Sequence, residues 1–145
     1  MPGNYVIFTL NDEEYGIDIV KSQEILRVKG MVINKIPKVP EYISGIINLR
    51  GDVIPIMRLK KRFNLSISDE NEKRVIIVKD KQLTIGFLVD FIVEVLYVSK
   101  EEMIPPPDDV KLKCEYVDSV ICKEKRMVFI LNVNKIIELR TEMER

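Results

Sequence analysis

EYISGIINLRGDVIPIMRLKKRF, residues 41–63, is the stretch that decides the fold of this chain. Residues 44–49 are mostly β-branched and apolar, and residues 53–57 form a second apolar run, so the stretch predicts two strands. The turn between them contains Gly51, which can adopt the positive φ that a tight hairpin turn requires. The stretch therefore predicts a β-hairpin.

The end of this stretch predicts a change from strand to helix. Pro55 lacks a backbone N–H, which places the second strand at a sheet edge or beside a bulge. Leu59 and Phe63 are four residues apart and share one face of a helical turn. The basic residues beside them are expected on the exposed side, as a solvated face or as a site for an anion or a protein partner: Arg58, Lys60, Lys61 and Arg62.

Short strands separated by turn residues continue along the chain. Strands are predicted at residues 4–10, 14–18, 25–28, 74–79, 82–89, 91–98, 116–122 and 127–132. Helices are predicted at residues 19–24, with Asp18 as the N-cap, and at residues 133–143, where apolar residues approximate a helical period. Residues 65–73 predict a surface loop, and the prolines at 105–107 predict a stiff connector.

The second half of the sequence repeats the first. A shift of 70 residues makes these matches: YVIF (5–8) with VIIV (75–78), Gly16 with Gly86, and Glu24 with Glu94. A shift of 74 residues places EYISGII, residues 41–47, on EYVDSVI, residues 115–121. Internal similarity of this kind indicates two copies of one supersecondary unit, and closely spaced short strands indicate small barrels.

We therefore predict a mainly β fold of two similar β-barrel-like subdomains with a C-terminal helix. The first subdomain is expected within residues 14–73 and the second within residues 74–145. The first strand, residues 4–10, can belong to either subdomain.

The composition limits the chemistry that this chain can perform. Its 145 residues are 46% hydrophobic and 32% charged with a formal net charge of +0, which is typical of a soluble domain without a general attraction for nucleic acid. There is no His, the commonest general base and metal ligand, so no catalytic residue, cofactor or metal is expected. Cys114 and Cys122 are interpreted as partly buried thiols in a reducing cytoplasm. Without a signal-peptide pattern or a long apolar run, we expect a stand-alone cytoplasmic chain with no direct membrane insertion.

Three stretches resemble motifs of the CheW family of chemotaxis coupling proteins, in the family's order: NDEEYGIDIVKSQEI, GIINLRGDVIPIMRLKKRF and IGFLVDFIVEVLYV. The resemblance covers residues 5–139 and implies a single CheW-like domain over residues 1–145, with two five-stranded SH3-like barrels sharing a hydrophobic interface. It also implies a non-catalytic adaptor between the cytoplasmic tip of a chemoreceptor (a methyl-accepting chemotaxis protein) and the regulatory domain of the histidine kinase CheA. Receptors would recruit it to the inner face of the membrane.

The resemblance carries a receptor-binding role to four positions. Arg50 lies on the Arg of the family's NLRG motif, and a solvated or intrachain-paired Arg is the structural alternative. Ser22 stands where relatives often carry Val, which weakens an apolar contact there. Val95 and Leu96 would line a groove between the subdomains, and packing in the core is their main alternative.

A kinase-binding role is implied for four further positions. Glu24 lies on the Glu of the family's VQEI segment, with an ordinary exposed Glu as the alternative. Ile19 and Ile25 flank it and would form the apolar part of the surface, unless they are core residues. Val110, after the proline triplet, matches a second kinase-contacting surface.

Two other functions remain open from the sequence. The first is a small-ligand or nucleotide-binding barrel module or an enzyme, which would require a pocket with perturbed titratable groups. The second keeps the adaptor role but places it in a surface-motility pathway.

Overall fold

The computed structural model describes residues 3–67, 71–108 and 115–138, which are mainly β. The strands described are β1 (Gly3–Leu10), β2 (Glu13–Asp18), β3 (Ser22–Arg27), β4 (Ile43–Leu49), β5 (Asp52–Arg58), β6 (Arg74–Asp80), β7 (Leu83–Val89), β8 (Phe91–Val98), β9 (Met103–Ile104), β10 (Val117–Lys123) and β11 (Arg126–Leu131). Short α-helices follow β5 and β11: α1 (Leu59–Arg62) and α2 (Val133–Ile137). Single turns of 3-10 helix lie at Ile19–Lys21 and Lys100–Glu102.

The strands form two sheets of related order, and each sheet belongs to one SH3-like barrel, as predicted. Barrel 1 has the strand order β3-β6-β7-β5-β4, and barrel 2 has the order β8-β1-β2-β11-β10-β9. In each barrel one parallel pair joins otherwise antiparallel strands, β5 with β7 and β11 with β2. The barrels therefore repeat one topology, to which barrel 2 adds β9.

The barrels exchange strands between the two sequence repeats. The first repeat contributes β1 and β2 to barrel 2, and the second repeat contributes β6 and β7 to barrel 1. The sheets thus do not follow the expected division at residue 73, and the first strand lies in barrel 2. Sequence similarity shows that the two units are alike. Strands are joined by backbone hydrogen bonds, which every residue type except Pro can both donate and accept, so the sequence does not show which unit supplies the partner of a given strand.

This exchange buries both faces of β1 and β6. In β1, Val6 and Phe8 pack in an apolar cluster that draws residues from both barrels, whereas Ile7 packs inside barrel 2. In β6, Ile76 joins the same shared cluster, whereas Ile77 packs inside barrel 1. Burial of each such side chain contributes about 1.5–3 kcal/mol. The predicted hydrophobic interface between the subdomains is confirmed.

The helix predicted at residues 19–24 is wrong beyond its first turn. Asp18 is the cap, since its Oδ1 accepts a hydrogen bond from the Val20 backbone N–H at 3.0 Å. The 3-10 turn ends at Lys21, and β3 begins at Ser22 because it pairs with β6 in barrel 1. Pairing along a barrel edge outweighs the local preference here.

Three further expectations change. β5 is not an edge strand, but the alternative of a bulge is confirmed, because the register of β4 against β5 shifts between Ile43 and Gly45, beside Ile56. The pairing of β5 with β7 begins only at Ile56, so the missing N–H of Pro55 costs no hydrogen bond to β7. Lys60 is not on the outside: it is 1% exposed, and its Nζ lies 2.9 Å from Asp90 Oδ1. The helix predicted at residues 133–143 begins as predicted, as α2, but it ends at Ile137, because Glu138 is already extended with φ −73° and ψ 102°. Residues after 138 lie outside the described part of the chain.

Candidate protein-binding surfaces

The edge strand β8 carries an exposed apolar face. Val93, Val95 and Tyr97 alternate along the strand and are 42%, 52% and 59% exposed, and Phe91 at its start is 52% exposed. We call these four residues the β8 face. Apolar side chains left uncovered on an edge strand favour association with another chain, and monomeric proteins usually avoid them.

The four residues predicted to contact a receptor lie in four different settings. Val95 belongs to the β8 face, so core packing does not account for it. Leu96 points the other way and packs against the apolar cluster inside barrel 2. Ser22 is half-buried at the start of β3, opposite Val78. Phe91, Val93 and Tyr97 were not singled out from the sequence. The signal was present in FIVEVLYV, where these residues and Val95 occupy alternate positions and so share one face of the strand.

Arg50, the fourth of these residues, stands on a tight turn between β4 and β5. The φ angles of Arg50 and Gly51 are 51° and 90°, the left-handed values that a type I′ hairpin turn requires. Asn48 Oδ1 accepts a hydrogen bond from the Gly51 backbone N–H at 2.9 Å and braces the turn. The guanidinium is therefore held at the surface, with 67% of the side chain exposed.

Arg50 and Glu24, predicted to bind different partners, form an ion pair with each other. Arg50 Nη2 donates to Glu24 Oε2, which links the β4–β5 turn to β3. This is the intrachain pairing that was the alternative for Arg50. An exposed ion pair contributes only about 0–1 kcal/mol, so a partner can replace either side at small cost.

The residues predicted to contact a kinase form an exposed segment at the start of barrel 1. Ile19 and Ile25 are 38% and 41% exposed, so neither is a core residue. Val20 between them is 76% exposed and was not singled out from the sequence. We call Ile19, Val20, Glu24 and Ile25 the β3 surface. Val110 lies outside the described residues.

In barrel 2 the repeat-equivalent of Glu24 is Glu94, which belongs to a larger network. Arg126 Nη1 lies 2.6 Å from Glu94 Oε2, and Arg126 Nε donates to Glu14 Oε1 at 2.5 Å. The hydrogen bond to Glu14, followed by that to Glu94, raises the pKa of the Arg126 guanidinium against the opposing effect of burial. The network ties β8, β2 and β11 together, so this carboxylate is committed to the barrel.

The described residues offer little other chemistry. Among them, no group of three or more His, Cys, Asp or Glu side chains is placed to hold a metal ion. Nor does any helix in the described ranges have the length and apolar character to cross a membrane. Cys122 is a free and exposed thiol rather than a partly buried one, and Cys114 lies outside the described residues.

The fold and these surfaces define a two-barrel protein-binding domain. The model of the CheW-like domain family matches residues 4–141. The chemotaxis protein CheW of Klebsiella aerogenes is 34% identical over 135 residues, 92% of this chain and 80% of that protein. The chemotaxis protein CheW of Treponema pallidum is 34% identical over 137 residues, 90% of this chain and 79% of that protein.

A solved structure agrees with these sequence matches. The crystal structure of the scaffolding protein TtCheW from Thermoanaerobacter tengcongensis is similar with a TM-score of 0.84 and 35% identity, covering 95% of this chain and 94% of that chain. The chain belongs to the CheW family, as its motifs predicted.

Proposed function

We propose that this chain is a chemotaxis adaptor that couples chemoreceptor cytoplasmic tips to the regulatory domain of the histidine kinase CheA, through protein contacts and without catalysis. The β8 face carries the proposal, because an apolar edge strand needs a partner to cover it. Membership of a family that includes a scaffolding protein supports the role. The adaptor would act in the cytoplasm, recruited to the inner face of the membrane by the receptors that it binds.

We assign the β8 face, Arg50, Ser22 and Leu96 to receptor binding. A helical hairpin presents apolar stripes with charged residues beside them. Val95 supplies the apolar contact, and Leu96 fixes β8 from the inside of barrel 2. Arg50 presents a planar guanidinium from a braced turn, which suits bonding to a carboxylate or to backbone carbonyls of the hairpin.

The kinase site consists of the β3 surface and, outside the described residues, Val110. Its exposed Ile19, Val20 and Ile25 supply apolar area, and Glu24 supplies one carboxylate. The regulatory domain of the kinase resembles this family, so barrel-to-barrel pairing with pseudo-symmetry is a natural mode of contact.

The Glu24–Arg50 ion pair connects the two sites. A receptor carboxylate that binds Arg50 releases Glu24, and a kinase cation that binds Glu24 releases Arg50. When the receptor is bound, Glu24 is already free for the kinase, and when the kinase is bound, Arg50 is already free for the receptor. Binding of one partner therefore favours binding of the other, which is positive coupling between the two sites. Because the pair is exposed, the coupling amounts to less than about 1 kcal/mol.

Calorimetric titration against a receptor cytoplasmic hairpin and, separately, the kinase regulatory domain tests the proposal. Arg50→Ala should weaken mainly receptor binding, and Glu24→Ala mainly kinase binding. Lys79→Ala and Glu101→Ala, which alter exposed charges elsewhere, are matched controls that should leave both affinities unchanged. Wild-type protein that binds neither partner would reject the adaptor role. The alternatives of a ligand module, an enzyme or a surface-motility adaptor find no support in the relatives.

A further inference from the structure

Barrel 1 contains a cavity with a local excess of positive charge. The cavity has a volume of about 580 Å³ and opens to solvent. Its charged lining residues are Arg27, Lys29, Arg58, Lys73, Arg74 and Glu72. The whole chain has a formal net charge of +0, so the excess belongs to this site and not to the protein in general.

Glu72 shows how the cavity binds a carboxylate. Its side chain is 4% exposed, and its two oxygens accept hydrogen bonds from Arg58 Nε at 2.6 Å and Arg58 Nη2 at 2.9 Å. This two-pronged geometry is the strongest that an Arg and a carboxylate form. Glu72 is thereby committed to Arg58 and does not neutralise the other cations.

Among the described residues, the other cations of the cavity have no acidic partner, and two of them lie opposite each other. Within the described ranges, Arg27, Lys29 and Lys73 form no ion pair, and Arg74 donates to the backbone oxygen of Lys73 at 3.0 Å. Arg27 on β3 lies directly opposite Arg74 on β6. Like charges directly opposite on antiparallel strands destabilise a sheet, so the arrangement has a cost that a bound anion would relieve.

The equivalent position in barrel 2 shows that the barrel does not require these charges. The cross-strand pair that corresponds to Arg27 and Arg74 is Tyr97 and Asn4. The repeat-equivalents of Lys29 and Lys73 are Ser99 and Gly3. The same topology therefore folds with neutral residues, and the cations of barrel 1 need an explanation other than the fold.

We propose that this cavity is a docking site for an acidic peptide segment of a protein partner. Arg27 and Arg74 bind its carboxylates, and Val28, Ile33 and Leu88, which also line the cavity, contact the apolar side chains between them. This apolar lining favours a peptide over an inorganic anion, which has no apolar part to bury. No residue of the proposed receptor and kinase sites lines the cavity, which adjoins the β3 surface because Arg27 follows Ile25 on the outward face of β3.

Fluorescence anisotropy with a labelled peptide of alternating glutamate and valine tests this inference. The control probe is the same peptide with glutamine in place of glutamate. The site variant combines Arg27→Gln and Lys73→Gln, and the matched control combines Lys35→Gln and Lys79→Gln, exposed lysines outside the cavity that remove the same charge. We expect the site variant to bind the glutamate peptide about five- to tenfold more weakly and the control to bind it within about twofold of wild type.

Each other outcome overturns the inference. Equal weakening in both variants would mean attraction by net charge alone. Inorganic phosphate that displaces the peptide at the peptide's own concentration would mean a simple anion site. Weaker binding of the receptor hairpin or kinase domain by the site variant would place the cavity within the proposed sites. Arg74→Gln serves as a second variant, and thermal unfolding should show both variants folded, because each removes the repulsion between Arg27 and Arg74.

Discussion

The equivalent edge strands of the two barrels, β3 and β8, share one backbone arrangement but carry different chemistry. Each pairs with the first strand of an exchanged pair, β6 or β1, and each turns a Leu inward, Leu26 or Leu96. The outward residues differ at each equivalent position: Gln23, Ile25 and Arg27 on β3, and Val93, Val95 and Tyr97 on β8. The same topology folds with polar and apolar side chains on the outward face of its edge strand, as in β3, or with apolar side chains alone, as in β8. The fold therefore does not require the apolar face of β8, which serves another purpose.

The chain crosses from one barrel to the other at two equivalent places, and these two crossings also share a backbone arrangement but carry different side chains. Asp90 alone separates β7 from β8, where the chain passes from barrel 1 to barrel 2, and it pairs with Lys60 of α1. The repeat-equivalents of Asp90 and Lys60 are Val20 and Asn134, which carry no charge. The other crossing, at the 3-10 turn between β2 and β3, also has an ion pair, because Lys21 pairs with the buried Asp80, but the Lys21 side chain is 33% exposed. Of these two pairs, only Lys60 and Asp90 are buried on both sides.

Breaking that ion pair should give the largest effect on stability. Lys60→Met leaves Asp90 buried without its cation and should lower the free energy of unfolding by about 3–5 kcal/mol in urea denaturation. Lys61→Met is the neighbouring control: Lys61 pairs with Glu41, whose side chain is 83% exposed. That control should lower it by only about 0–1 kcal/mol.

A double variant separates charge from packing at this crossing. Adding Asp90→Asn to Lys60→Met removes the uncompensated charge and should recover part of the loss, while the amide oxygen still accepts from the Asn11 backbone N–H. If Lys60→Met destabilises no more than Lys61→Met, the crossing is not held by the ion pair.

Where the barrels are alike, matched substitutions should have similar effects. Gly16 and Gly86 lie in the equivalent parallel pairs, opposite Ile130 and Ile56. A Cβ at Gly16 would lie 2.9 Å from Ile130 Cδ1, and a Cβ at Gly86 would lie 2.7 Å from Ile56 Cδ1 and 2.8 Å from Val75 Cγ1. Each Gly→Ala substitution should destabilise by about 1–3 kcal/mol, with Gly86 the more sensitive because Val75 is short and branched.

Gly3→Ala is the control for this pair, since an added Cβ there meets nothing within 4 Å. Urea denaturation of the three variants and of the Gly16→Ala, Gly86→Ala double variant measures the effects. A loss of stability in only one of Gly16→Ala and Gly86→Ala would contradict the equivalence of the two parallel pairs, and equal stability of all three single variants would contradict close packing at both glycines.

The next prediction concerns binding at the outward positions where β3 and β8 differ. Val95→Ser should weaken receptor binding about tenfold, or roughly 1.4 kcal/mol, with little change in stability because Val95 is already exposed. Ile25→Ser, at the equivalent position on β3, should weaken kinase binding and leave receptor binding unchanged. Calorimetric titration of both variants with both partners measures these affinities. If both variants lose the same affinity for one partner, β3 and β8 do not bind different partners.

The sequence predicted the repeat and the two barrels, because apolar alternation and matched glycines report on local structure. It did not predict the exchange of strands, because a strand that is apolar on both faces, such as β1, can pair with either unit. Burial of Lys60 was missed because its partner, Asp90, is distant in sequence and no local pattern marks the pair. The Arg50 turn was predicted from Gly51, but its pairing with Glu24 depends on closure of barrel 1.

The smallest effect is expected where barrel 2 extends the shared topology. Ile104 of β9 pairs with Val120, whereas the equivalent residues of barrel 1, Asn34 and Ile46, form only an isolated bridge. Ser99 and Glu102 form a capping box immediately before β9, in which the Ser99 backbone N–H donates to Glu102 Oε1 at 3.0 Å. Barrel 1 has Lys29 and Val32 at these positions and cannot form the same cap.

This cap should make a small part of the stability of barrel 2 depend on pH. The hydrogen bond from Ser99, and then Lys123, hold the pKa of the Glu102 carboxyl below its ordinary 4.5. Because the pKa is lowered in the folded state, the stabilisation is present above pH 4.5 and is lost as the pH falls through the folded-state pKa. Glu102→Gln should therefore have a slightly lower urea midpoint than wild type at neutral pH and the same midpoint in acid. The control Glu101→Gln, which removes the neighbouring charge, should have the same urea midpoint as wild type at neutral and at acid pH. If the midpoint of Glu102→Gln stays equally far below that of wild type in acid, the carboxylate charge does not hold β9 in place.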